Sequence, residues 1–230
     1  MRFLLIILLC LLTSPAWALT LATQAAVDTS YTAPAGGGTA PTYVNSNSGY
    51  DSGPITLSGV TAGNTLVACV SGGGALTSTS LSGWTALATA GTATNFSRCY
   101  YLLSASAGNL SIAITSPPSD PGWTVAEYSG VGGFDTSTAG DTGMTSPYTT
   151  PSITVAQDHS AVIVFVADET ANTGAVTWTG SGTVGRQSNT SHAHYLADHV
   201  DTSAGSLSTT FTGTNNATPQ LVYLISLQGS

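Results

Sequence analysis

Apolar residues in this chain come in short runs rich in Val, Ile, Thr and Tyr, bounded by Gly, Ser, Asn and Pro. No helical period is sustained after the first segment, so the pattern is that of short β-strands in a sandwich or barrel. It predicts strands near Leu19–Gln24, Ile55–Leu57, Leu66–Val70, Trp84–Ala88, Arg98–Leu103, Leu110–Thr115 and Thr124–Tyr128. A second set is predicted near Ile153–Val155, Ala161–Ala167, Val176–Thr179, His194–Val200, Leu207–Thr212 and Leu221–Ser226. Leu110 to Ile114 alternates as a strand with one buried face does, whereas Ala161 to Ala167 is apolar throughout, the mark of a strand covered on both faces.

The two sets repeat each other. Pro54-Ile55-Thr56-Leu57 matches Ser152-Ile153-Thr154-Val155, Asn64–Val70 matches Ser160–Val166, and Tyr101-Leu102 aligns with Tyr195-Leu196. The clearest match sets Ser106-Ala107-Gly108-Asn109-Leu110-Ser111 against Ser203-Ala204-Gly205-Ser206-Leu207-Ser208. Two copies at so long a period are a duplicated unit, not a solenoid. The expected organisation is one domain over 19–230, with halves 19–130 and 144–230 and a connecting loop over 131–143. If the halves share one core, Leu66, Ala68 and Val70 pack near Val162, Val164 and Val166 or their neighbours. The competing arrangement is two autonomous jelly rolls.

Residues 1–18 read as an export signal: Met1-Arg2, an apolar run from Phe3 to Leu12, then Ala16-Trp17-Ala18 for cleavage. That run falls short of the ~20 residues a membrane-spanning helix needs, and nothing later reaches that length. Cys69 and Cys99 are the cysteines left after cleavage, in a compartment that permits disulfides. They form either a bridge or a pair of buried thiols.

A further likeness rests on Ala62-Gly63-Asn64-Thr65-Leu66-Val67, Ser82-Gly83-Trp84-Thr85, Tyr100-Tyr101, Ala107-Gly108 and Glu127-Tyr128-Ser129-Gly130-Val131. This succession resembles a β-sandwich module of bacterial extracellular and phage tail-associated proteins, in which the Glu-Tyr-Ser-Gly-Val stretch closes the first half. The resemblance implies a jelly-roll-like, all-β, antiparallel sandwich built from two similar halves. It implies no catalytic mechanism.

Composition narrows the partners. Charged residues are 6% of the chain, the net charge is −8, and there is no Lys. Once Arg2 leaves with the signal, Arg98 and Arg186 are the remaining cations, too few for phosphate-backbone contacts, so no nucleic-acid partner is expected. Ser and Thr make up about 29% of the residues, so hydroxyls and backbone must solvate the surface. Sheet edges therefore lack the Lys that discourages strand pairing.

Chemistry is sparse. The Gly-x-Ser-x-Gly elbow, the His-Glu-x-x-His zinc motif and the phosphate-cradling loop are absent. The densest constellation is His192-Ala193-His194-Tyr195-Leu196-Ala197-Asp198-His199. On a strand His192, His194 and Asp198 share a face, either as three ligands of a metal or as a polar face turned to water. Glu127 is the acid of most interest, either as one carboxylate of a hydrolase or as a partner of Arg98 or cap of an edge. Asp168-Glu169 ends an apolar strand, where a turn to solvent is expected. Asp135 and Asp141 offer oxygens to calcium without the spacing of a defined calcium loop. Tyr31, Tyr43 and Tyr50 sit in the Gly/Ser/Asn-rich stretch from Ser30 to Gly53, where rings can stack on a glycan or pack as an ordinary loop.

The expectation is a secreted, non-enzymatic β-sandwich protein acting at a cell or virion surface, in adhesion or as a structural subunit. Its partner is then a surface glycan, a protein, or another copy of itself, and no cofactor beyond loop calcium is implied. A carbohydrate-binding module is the alternative, and a metal- or carboxylate-dependent hydrolase a further one.

Overall fold

The computed structural model describes residues 38–73, 79–91, 95–142, 146–168, 176–189, 194–213 and 220–230. The export segment 1–18, the expected strand Leu19–Gln24, Tyr31, Glu169 and His192 lie outside the described residues. The chain is all-β, and its strands pair antiparallel. No helix among the described residues is long and apolar enough to cross a membrane.

Two five-stranded sheets dominate. The first is built from β1 (Thr42–Tyr50), β3 (Thr65–Gly73), β5 (Thr85–Gly91), β6 (Asn95–Leu102) and β9 (Ser119–Ser129), in the order β1-β9-β3-β6-β5. The second uses β10 (Val131–Asp141), β13 (Ser160–Asp168), β15 (Val184–Asn189), β16 (His194–Thr202) and β19 (Gln220–Gly229), in the order β10-β19-β13-β16-β15. In both, the earliest strand of the chain forms an edge and the latest pairs beside it. Short ladders accompany each sheet. β2 (Ile55–Val60) pairs with β7 (Gly108–Ile112), and β4 (Ser80–Leu81) with β8 (Ile114–Thr115). Later in the chain β12 (Ile153–Val155) pairs with β17 (Gly205–Leu207), and β18 (Thr210–Thr212) lies between β11 (Tyr148–Thr149) and β14 (Thr177–Trp178).

The core has three layers because β3 and β13 are apolar on both faces. Leu66, Ala68 and Val70 turn toward the first set of ladders and pack with Ile55, Leu57, Ile114 and Trp123. Val162, Val164 and Val166 turn the opposite way, onto Tyr148, Ile153, Val155 and Phe211. Val67 and Cys69 meet Ile163, Phe165, Ala167 and Tyr223 in the layer between, a seam to which both sheets contribute. Each large side chain buried there is worth roughly 1.5–3 kcal/mol.

The shared layer corrects one expectation. Leu66, Ala68 and Val70 do not face Val162, Val164 and Val166; the odd-numbered residues of both strands make the seam. Alternation decides which residues go together, but a strand apolar on both sides carries no sign of which face meets which layer.

Two stretches read as loops are edge strands. Val131–Asp141 runs the length of β19, so the expected connecting loop 131–143 is mostly β10. Thr42–Tyr50 runs along β9 as β1. Hydrogen bonded on one side only and mostly half-exposed, these strands are rich in Gly, Ser, Thr and Asn and lack regular apolar alternation. Both carry a bulge, between Tyr43 and Asn45 and between Phe134 and Thr136. The turn from β9 to β10 is the single residue Gly130, at φ +68°, a region that favours glycine. Cys69 and Cys99 stand opposite each other on β3 and β6, Cα atoms 4.0 Å apart, and are bonded as a disulfide within the first sheet.

Phe165 touches both sheets across the seam, so Phe165→Ala is expected to cost about 3–5 kcal/mol. Urea unfolding followed through Trp123 in β9 and Trp178 in β14, each isolated by changing the other tryptophans to Phe, should show one common, lowered midpoint. A shift felt by Trp178 alone would contradict the shared layer.

Candidate functional site

β16 supplies the polar residues that the sequence singles out. Its period of two sends His194, Leu196 and Asp198 to one side, and that side is the seam, not solvent. His194 is 3% exposed and Asp198 fully buried, which overturns the expectation of a polar face turned to water. His192, the third proposed ligand, lies outside the described residues. Among the described residues no group of three or more His, Cys, Asp and Glu side chains is placed to hold a metal ion.

Asp198 has charged and neutral partners instead. Arg186 on β15 donates from Nε to both carboxylate oxygens, at 2.9 Å each. Tyr128 on β9 reaches across from the first sheet and donates its hydroxyl to Oδ2 at 3.1 Å. The Arg186 guanidinium lies 4.4 Å from the ring centre of Tyr43 on β1, and that ring meets Tyr128 edge-on at 5.9 Å. Two residues of each sheet thus form one cluster at one end of the seam. Burial works against the Arg186 charge, but the hydrogen bond and charge of Asp198 outweigh it and hold its pKa above the ordinary value. Burial first, then the charge and hydrogen bond of Asp198, push the Tyr128 phenol well above its usual pKa.

The station of Asp198 can be located in the other sheet. Val67 on β3 is opposite Tyr101 on β6, and Ile163, its sequence match on β13, is opposite Asp198 on β16. Tyr101 therefore corresponds to Asp198, not to Tyr195 as the short sequence alignment suggests. Tyr101 stacks on Phe134 of β10 at 4.6 Å, with ring planes 1° apart. One end of the seam is closed by an ion pair under aromatic rings, the other by stacked rings.

Between these ends two side chains cross from the second sheet into the first. His194 hydrogen-bonds through Nε2 with the Ser71 hydroxyl, lies over Gly122, and meets the Phe165 ring at 5.8 Å. Gly122 is needed for space, since a Cβ there would fall 1.5 Å from His194 Cε1. Tyr223 on β19 donates its hydroxyl toward the carbonyls of Ala88 and Ser97, at 2.6 Å each, and accepts from the Ala90 amide at 2.5 Å. It serves backbone groups around the irregular stretch of β5, and burial raises its pKa. Tyr223 was not a sequence candidate, because a Tyr in an apolar strand reads as core.

Two carboxylates have a different task. Glu127 is fully buried on the ladder side of β9, where Oε1 accepts from the Thr61 amide at 2.8 Å and from Asn64 Nδ2 at 2.6 Å. It holds the turn between β2 and β3. Its expected partner Arg98 instead donates to the carbonyls of Leu87 and Thr79. In the second sheet Ser226 stands where Glu127 does, opposite the strand β13, and the carboxylate comes from Asp135 in the bulge of β10. Asp135 Oδ2 accepts from Ser226 Oγ and from the Ala156 amide, 3.0 Å each, just after β12. The calcium-loop reading fails on geometry, since six residues of extended β10 set Asp135 and Asp141 roughly 20 Å apart.

The tyrosine platform is divided in the same way. Tyr43 is half-buried beneath Arg186 and hydrogen-bonds Ser46, so its ring is engaged in the seam. Tyr50, at the far end of β1, is 43% exposed. Comparison with protein-family models, curated proteins and solved structures finds no match to this chain. The functional reading therefore rests on the residues themselves.

Gly122→Ala should cost about 1–3 kcal/mol by overpacking against His194, and His194→Ala in the same chain should restore much of that loss. Thermal melting of the four proteins of the cycle checks it, and purely additive losses would contradict the shared space. The Tyr128 phenol is protonated more firmly in the folded than in the unfolded chain. Its stabilising contribution is therefore full below the unfolded value of about 10 and falls as pH rises above it. Denaturant melts from pH 8 to 11 should show this alkaline loss, with a shallower slope in Tyr128→Phe.

Proposed function

We propose that the chain is a secreted, non-enzymatic β-sandwich protein acting at a cell or virion surface, as a structural subunit or adhesin. In this reading the two large sheets, each with its own ladders, are similar halves of a jelly-roll-like sandwich, and residues 1–18 are removed on export. The observation that carries the reading is where the reactive groups lie. Asp198, Arg186, His194, Glu127 and Asp135 hold strands and turns to one another, and among the described residues the exposed ionisable groups are scattered aspartates such as Asp51, Asp120, Asp141 and Asp158. Both arginines of the exported chain are pinned, Arg98 to two carbonyls and Arg186 to Asp198. A protein exposed to extracellular proteases gains from this arrangement, because both arginines sit in hydrogen-bonded strands with their side chains held by other groups.

Carbohydrate binding is the second reading, favoured by the exposed ring of Tyr50 on an edge strand. One experiment separates the two. The protein recovered from the culture medium should begin near Leu19, resist trypsin while folded, and appear by electron microscopy as assemblies or as a coat on its producer. Retention on a polysaccharide, lost in Tyr50→Ala, would move the assignment to a carbohydrate-binding module. Recovery only inside cells with Met1 intact would overturn secretion.

A further inference from the structure

We propose that two copies of this chain exchange halves, the first sheet of each packing on the second sheet of the other to make a closed pair. The seam supports this because it is an interface between two sheets of the same strand order that complement each other. β1 lies against β15 and β10 against β5, so the sheets meet about an approximate two-fold axis, as the subunits of a symmetric dimer do. The disulfide lies inside the first sheet, and the described residues show no covalent tie across the seam other than the backbone at Gly130.

That join is short, and glycine holds it. Gly130 alone separates β9 from β10, at φ +68°. Two backbone hydrogen bonds flank it: the Ser230 amide donates to the Gly130 carbonyl at 3.0 Å, and the Thr39 amide donates to the Ser230 carbonyl at 2.8 Å. A Cβ on Gly132 would lie 2.6 Å from the Gly229 carbonyl oxygen. Opening at Gly130 lets β9 and β10 run on as one extended strand, and every seam contact is remade with the second copy. A short hinge between complementary bodies is the setting in which segments swap.

The ends of the seam determine what can pair. Asp198 and Arg186 of the second sheet require Tyr128 and Tyr43 of a first sheet, and the stacked Tyr101 requires Phe134 of a second sheet. Two first sheets would set Tyr101 against Tyr43 without the ion pair, and two second sheets would bury Asp198 without Tyr128. Exchange therefore joins unlike halves, and the pair closes on itself.

Light scattering after size exclusion, over a wide range of concentration, tests this on the full exported chain. The expected result is a dimer that grows with concentration, its fraction raised about tenfold by Gly130→Val, since a β-branched residue resists positive φ. A second measurement identifies the dimer. Tyr101→Cys and Phe134→Cys are placed on separate copies, mixed at high concentration and treated with a short thiol-bridging reagent. Exchange gives a cross-link between the two copies, and this result stands even if Gly130→Val does not fold, because Gly130 is kept. A monomer at every concentration would overturn the proposal. So would a dimer without the cross-link, which would show edge-to-edge strand pairing instead. Neither result bears on secretion or surface location, because the proposal rests on the seam alone.

Discussion

The constraint on which the structure depends is that β3 and β13 are buried on both faces. A five-stranded sheet with one apolar face needs one covering layer. These sheets, with apolar residues at nearly every position of their central strands, need two. The ladders β2/β7 and β12/β17, with their smaller neighbours, cover the outer faces. They are too small to form cores of their own and serve as lids on Leu66, Ala68 and Val70 or on Val162, Val164 and Val166. The inner faces are satisfied by each other. Removing either sheet would expose Val67 and Cys69 or Ile163, Phe165 and Tyr223 to water, so the seam binds the fold into one unit.

An apolar seam alone would allow the sheets to slide or to pair with themselves. The polar groups within it remove that freedom. Asp198 is buried with Arg186 and Tyr128 in place, and moving either sheet leaves a carboxylate without part of its shell, a cost of several kcal/mol. Tyr223 and His194 act similarly, each reaching out of one sheet to a specific group of the other. Glu127 and Asp135 show the same need met from different places: a carboxylate is required at the amide that follows β2 in one set and β12 in the other. One takes it from the strand beside the centre, the other from the bulge of its edge.

Much of the fold was legible in the chain. Short apolar runs between Gly, Ser, Asn and Pro marked the inner strands, and the repeated Ser-Ala-Gly-x-Leu-Ser pointed to recurrence of the pattern, because period-two burial and turn chemistry are local properties. β1 and β10 were not legible, since an edge strand is fixed by its neighbour's hydrogen bonds and needs no apolar face of its own.

The candidate site divides along the same line. That His194 and Asp198 share a face follows from alternation within one strand, and the sequence determined it. Which way that face points is a different matter. It depends on a second sheet, distant in the chain, that brings Ser71, Gly122 and Tyr128 over it, and only the tertiary structure decided that. The same holds for Glu127, whose partners Thr61 and Asn64 lie more than sixty residues away. Alternation is set by the backbone within a strand, whereas burial is set by what the rest of the chain lays on top of it.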